Sequence, residues 1–151
     1  MLDLNCRALT HMTHICLPFM KRGSRIIQLA SSAAFLPQPG FAVYAAGKSY
    51  VLSFSRALGE ELREKGIFVT AVCPGPVRTE FFERAERKAS TLAIKKYVMA
   101  DAKDVVADAL YASARRHPSA VYSLPIRAFG LLTKLCPHSL ILMITRFLKR
   151  M

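Results

Sequence analysis

Acidic side chains stop at Asp108; beyond it the chain carries seven bases, Arg115, Arg116, Arg127, Lys134, Arg146, Lys149 and Arg150, and no carboxylate side chain. Lys and Arg outnumber Asp and Glu by 22 to 10 over the whole chain, so more than half of the formal charge of +12 falls in that last stretch. A basic end of this kind suits a membrane surface, a nucleic acid or an acidic partner, and charge alone does not choose among them. Nucleic acid is the weakest of the three, because the bases are scattered and no aromatic stacking platform or groove-reading motif accompanies them. Paired cysteine spacings are also missing. Cys6, Cys16, Cys73 and Cys136 form no C-x-x-C pair and no Cys/His ligand pattern, which excludes a zinc or redox motif; no metal is expected, and reduced thiols in a cytoplasmic chain are the plain reading. The first residues lack a basic segment followed by an unbroken apolar one, so no signal peptide is expected. The most apolar late run, Leu140 to Leu148, is interrupted by Arg146 and is about half of the roughly 20 residues that a membrane-spanning helix requires.

What is present is a chain of 151 residues, 52% of them hydrophobic, enough for one core and too few for two ordinary domains. Leu2, Leu9, Met12, Ile15, Cys16 and Phe19 recur at helical steps and predict a helix with one buried face that closes near Pro18. Residues 25–30 read as a short buried strand, and residues 32–43, with Pro37, Pro39 and Gly40, as a loop. From Tyr44 to Lys65, Val51, Phe54, Leu58 and Leu62 mark a helical face, and Gly66 supplies a left-handed stop. Residues 67–73 form a second buried strand cut by Pro74-Gly75-Pro76, and a βαβ crossover follows. A charged helical excursion over 79–99, a helix over 101–116, a weaker strand over 120–124 and two short amphipathic helices around Pro137 complete an α/β pattern.

Tyr44 and Lys48 lie four apart at the start of a helix, so their polar ends share one face. Alone the pair has little weight, because nine lysines and five tyrosines make one such spacing common by chance. Its company is more informative. Ser31 ends the first strand thirteen residues before Tyr44, and the second strand ends in Pro74-Gly75-Pro76-Val77-Arg78-Thr79. Both ends open on the carboxyl edge of a parallel sheet, where ligands of open α/β proteins sit. With Asn5 in the run Asn-Cys-Arg-Ala-Leu-Thr, these motifs resemble, in order, those of the short-chain dehydrogenase/reductase family of NAD(P)-dependent oxidoreductases.

The resemblance implies interconversion of a carbonyl and an alcohol by hydride transfer on a small, apolar molecule. Tyr44 is then the proton donor or acceptor and, with Lys48, part of the cofactor site. A free phenol with a pKa of about 10 is a poor base at neutral pH, and a neighbouring ammonium favours its ionised form. Lys48 would bond the nicotinamide ribose, Ser31 would hold the substrate oxygen, and Asn5 would anchor a water that relays protons to Lys48. An asparagine at such a position otherwise bonds the local backbone. Pro74 and Gly75 would turn the chain so that the Val77 backbone and the Thr79 hydroxyl meet the nicotinamide carboxamide. Phe35, Phe41 and Phe81 flank these positions as candidate substrate contacts, with Ala33, Leu36 and Phe82 beside them; ordinary core is the commoner fate of such residues.

The expected fold is the C-terminal part of a Rossmann-like, doubly wound parallel sheet, with residues 1–126 as the partial domain and 127–151 as a basic amphipathic helical tail. None of the seven glycines forms G-x-x-x-G-x-G or G-x-G-x-x-G, the turn that receives a dinucleotide pyrophosphate, so the choice between NAD and NADP is unreadable. The chain is thus expected to be a truncated reductase whose strand at 25–31 exposes an unpaired edge. The resemblance further implies a homo-oligomer, a dimer through the helices at 2–20 and 44–65. The alternative is a non-catalytic remnant acting as an interaction module or, through its tail, as a peripheral membrane protein.

Overall fold

The computed structural model describes residues 1–78 and 99–148. A π-helical turn, Asp3–Ala8, runs into α1, Leu9–Cys16, and a 3-10 turn at Leu17–Phe19. Strand β1, Arg25–Leu29, is followed by a 3-10 turn, Ser32–Phe35, and by α2, Ala42–Glu61. Then come β2, Phe68–Val72, α3, Ala102–Ala114, β3, Ser119–Ala120, and two helices, α4, Leu124–Leu135, and α5, His138–Leu148. The expected helical excursion over 79–99 lies almost wholly outside the described residues.

The three strands form one parallel sheet in the order β1-β2-β3, with Leu29 beside Val72 and Val72 beside Ala120. Alternation along β2 assigns its two faces. Val69, Ala71 and, just beyond the strand, Cys73 pack with Val51, Leu52, Leu58 and Leu62 of the α2 segment, whereas Val72 packs with Val105, Ala109 and Ala112 of α3. Helices therefore cover both faces of β2. Gly66 has φ +70°, the left-handed turn that carries the chain from α2 back toward β2.

Strand β1 is an edge of this sheet, buried on the Ile26 and Gln28 face and largely open on the other, where Arg25 reaches the Ser113 carbonyl of α3. Ile26 is buried in the α2 cluster, and Gln28 donates to Thr13 Oγ1 of α1 at 2.9 Å. On the other face Leu29 is 65% exposed. The expected unpaired edge is thus a feature of the described sheet.

Three expectations are corrected. Met12, Ile15 and Phe19 face outward and Thr13 inward, because the first helical segment carries two apolar stripes that sequence periodicity merges into one. The loop after β1 contains a 3-10 turn, started by the Ser31 hydroxyl, which accepts from the Ala33 N–H at 3.1 Å. The third strand is only two residues long and begins one residue early: Tyr122 turns its hydroxyl to Asp104, and Ser123 takes φ +74° to start α4.

Candidate active site

Three hydrogen bonds hold the separated motifs together at the carboxyl edge of the sheet. Lys48 Nζ donates to the Leu29 carbonyl at the end of β1 at 2.7 Å. One residue on, Ser49 Oγ donates to the Ala34 carbonyl at 3.0 Å, fixing the first turns of α2 against the 3-10 turn. The Ser32 N–H donates to the Pro74 carbonyl at 2.8 Å and ties the end of β1 to the loop after β2. The strand end, the Tyr44 helix and the Pro74-Gly75-Pro76 loop are brought to one place by parallel pairing and then fastened by these bonds.

Tyr44 and Lys48 are both half-buried, with the ammonium 5.9 Å from the centre of the Tyr44 ring. Burial lowers the Lys48 pKa from the ordinary lysine range, and Cys6 opposes that shift. Cys6 lies against the same turn, its thiol 3.9 Å from the Gly47 carbonyl. Ser31 is buried at the strand end; because its oxygen already accepts from Ala33, its own proton remains to be donated. Asn5 donates its amide to the Met1 carbonyl at 3.3 Å, the local bond open to an asparagine in such a helix.

Beyond Pro74 the chain pairs with a later segment: Val77 bridges Ala100 in parallel, and the Arg78 N–H donates to the Ala100 carbonyl at 3.0 Å. A side chain at Gly75 would lie 2.7 Å from Ile126 of α4, so the absence of one lets α4 close over this loop. Phe35 is half-buried and packs on Phe129 of α4 with ring centres 6.3 Å apart; Phe41 precedes the first residue of α2. Thr79, Phe81 and Phe82 lie outside the described residues. A cleft of about 270 Å3 opens beside Arg78, Asp104 and Tyr122, and another of about 410 Å3 beside Leu17 and Ile67; neither is bounded by Tyr44, Lys48 or Ser31.

Sequence reasoning missed Cys73 at this edge. It is fully buried after β2, against the Ser31 backbone, and burial pushes its thiol up to about 11 from 9.0. Between those values the folded chain keeps a proton that the unfolded chain has lost, so rising pH favours unfolding. About 2 to 3 kcal/mol of stability present below pH 9 is expected to disappear as pH approaches 11. Urea titrations across this range should show that loss in the native chain and a shallower one in Cys73→Ala.

An open parallel sheet with helices on both faces and a tyrosine, lysine and serine gathered at its carboxyl edge defines a class of α/β proteins that bind ligands at that edge. The family model described as short chain dehydrogenase matches residues 1–90, and the chain belongs to that family. Sulfoacetaldehyde reductase 2 of Chromohalobacter salexigens is 39% identical over 84 residues, covering 54% of this chain and 33% of that relative. Among solved structures, a short-chain dehydrogenase from Sphingobium yanoikuyae in complex with NADPH matches with a TM-score of 0.70 and 30% identity, over 82% of this chain and 47% of that one. A short-chain dehydrogenase/reductase from Burkholderia phymatum in complex with NAD shares the fold at 22% identity with a TM-score of 0.67, over 85% of this chain and 54% of that one. The chain thus spans about a third of the curated relative and about half of each structure.

Proposed function

We propose that the chain carries the hydride-transfer half of an NAD(P)-dependent oxidoreductase that interconverts a carbonyl and an alcohol on an apolar small molecule. The fastening of Lys48 to the end of β1 carries this reading, because it holds a cation beside Tyr44 at the sheet edge. The residues fit the nicotinamide end of such a cofactor. Lys48 spends one proton on Leu29 and would keep two for ribose hydroxyls; the Pro74-Gly75-Pro76 turn and the Val77 backbone would meet the carboxamide, a role the resemblance also gives to Thr79. When bound, the nicotinamide gives or takes the hydride at the substrate carbon.

The remaining chemistry belongs to side chains of this protein. Tyr44 gives its phenolic proton to the carbonyl oxygen during reduction and takes one back during oxidation. Ser31, oriented by the Ala33 N–H, donates its own proton in a hydrogen bond to the same oxygen as charge develops there. Asn5, whose amide donates one N–H to Met1, would hold with its remaining amide atoms the water that relays protons to Lys48. Phe35, Phe41 and Phe81 are the apolar substrate contacts in this reading. The pyrophosphate end of the cofactor would call for a glycine-rich turn, and none of the seven glycines in these 151 residues stands in one.

Leu4 just before α1 and Met12 within it, with Val43 and Tyr50 of α2, leave apolar surface exposed, which supports a homodimer through these helices; a folded monomer at submicromolar concentration would overturn it. A second reading, a non-catalytic module, is favoured by the open edge of β1.

Fluorescence titration of the folded chain with NADPH and NADH separates the two readings. Micromolar binding, weakened about tenfold to a hundredfold by Lys48→Ala, is expected of the oxidoreductase. No binding by a chain whose circular dichroism shows it folded overturns that reading in favour of the module.

A further inference from the structure

Helix α4 is apolar on two opposite sides. Its inner side, with Ile126, Phe129 and Gly130, is spent on the Gly75 loop and Phe35. Its outer side carries Leu131 at 58% and Leu135 at 74% exposure, seven and eleven residues from the exposed Leu124 and so on one stripe. Helix α5 repeats the pattern, with Leu140, Met143, Ile144 and Phe147 at steps of three and four, exposed by 43 to 67%.

Helix α5 is half-buried along Ile141, Leu142 and Thr145 and open along the stripe of Leu140, Met143, Ile144 and Phe147. An isolated helix of 11 residues is marginal in water, so its outer stripe calls for a covering surface. The charge on this part of the chain indicates the sign of that surface. Lys134 and Arg146 stand exposed on these helices, and no acidic side chain follows Asp108. A second copy would bring bases against bases, and a nucleic acid would leave the apolar stripes wet. The surface that satisfies both properties is an anionic lipid headgroup layer with hydrocarbon just beneath it.

We propose that α4 and α5 seat the protein on the face of an anionic bilayer, lying in the interface. No single helix among the described residues is long and apolar enough to cross a membrane, and the two together are bent by 119° at the Cys136-Pro137 break. The outer stripes enter the headgroup boundary while the inner side of α4 keeps its grip on the body. This seating does not depend on the cofactor reading.

Co-sedimentation of the full chain with phosphatidylcholine vesicles, with and without phosphatidylserine, tests it. Binding is expected only with phosphatidylserine, weaker at high salt, and accompanied by a gain of helix. The double variant Ile144→Asp, Phe147→Asp changes exposed positions and should keep the thermal midpoint of the body while losing at least about tenfold in vesicle affinity. Lys134→Glu with Arg146→Glu should lose a similar factor. Binding unchanged in either variant, or binding to neither vesicle, overturns the proposal. So does a lipid-free dimer that the double Asp variant dissociates, because the stripes would then belong to a second copy.

Discussion

Tyr44→Phe is expected to reduce NADPH-linked carbonyl reduction by about a hundredfold to ten-thousandfold while leaving cofactor affinity within about twofold. The phenyl ring keeps the shape of a half-buried side chain, and the only atom lost is the one assigned to carry the proton. The ring's place beside the Lys48 ammonium survives, and so does the bond from Lys48 to Leu29, because neither uses the phenolic oxygen. Lys48→Ala differs in kind, since it removes both the cation and the tie to the strand end, and both turnover and binding should fall. Steady-state kinetics of the two variants beside the wild type make the comparison. A Phe variant that retains more than a tenth of the activity would remove Tyr44 from the proton transfer.

Leu58→Ala should have the largest effect on stability, a loss of about 2 to 5 kcal/mol read from the urea midpoint. Leu58 is 7% exposed in the cluster where α2 meets β1 and β2, with Ile26, Leu62, Ile67 and Val69 around it. Its side chain occupies volume that backbone neighbours on three elements cannot collapse to fill. Domains of this kind have only about 5 to 15 kcal/mol in total, so the variant is expected to be partly unfolded at modest denaturant. Leu131→Ala on the outer stripe of α4 is the control, and it should stay within about 0.5 kcal/mol of the wild type. Equal losses at the two positions would mean that α4 is buried in solution on the side described as exposed.

The sequence made α2 and its sheet legible because Val51, Leu58 and Leu62 keep one helical period against strands with uninterrupted apolar runs. The Tyr44 and Lys48 pairing was legible for the same reason: four residues on a helix fix a face before any tertiary contact is known. Other features depended on contacts between distant residues. The seat of α4 rests on Gly75 beneath Ile126 and Gly130 beneath Phe35, two places where a missing side chain admits a neighbour, and no periodicity in α4 announces it. Both sides of that helix are apolar, so its pattern does not say which side packs. Asn5 illustrates the limit at a single residue. The sequence allowed a local bond or a water, and Met1 at the right offset supplied the local acceptor. The burial of Cys73 at the end of the second strand was legible, but the Ser31 backbone against its thiol was not, because that contact joins residues far apart in sequence.

The parallel register sets an order of events during synthesis. Leu29 pairs with Val72, and Val72 with Ala120, so each ladder joins residues roughly forty or more positions apart. On a ribosome adding about 5 to 20 residues each second, β1 waits several seconds for the strand that completes it. During that interval Ile26, Ile27 and Leu29 await their ladder with β2, while α2, made between the two strands, is already complete. The length of the α2 crossover therefore sets how long β1 stands without this partner, and the wait ends once β2 has left the exit tunnel.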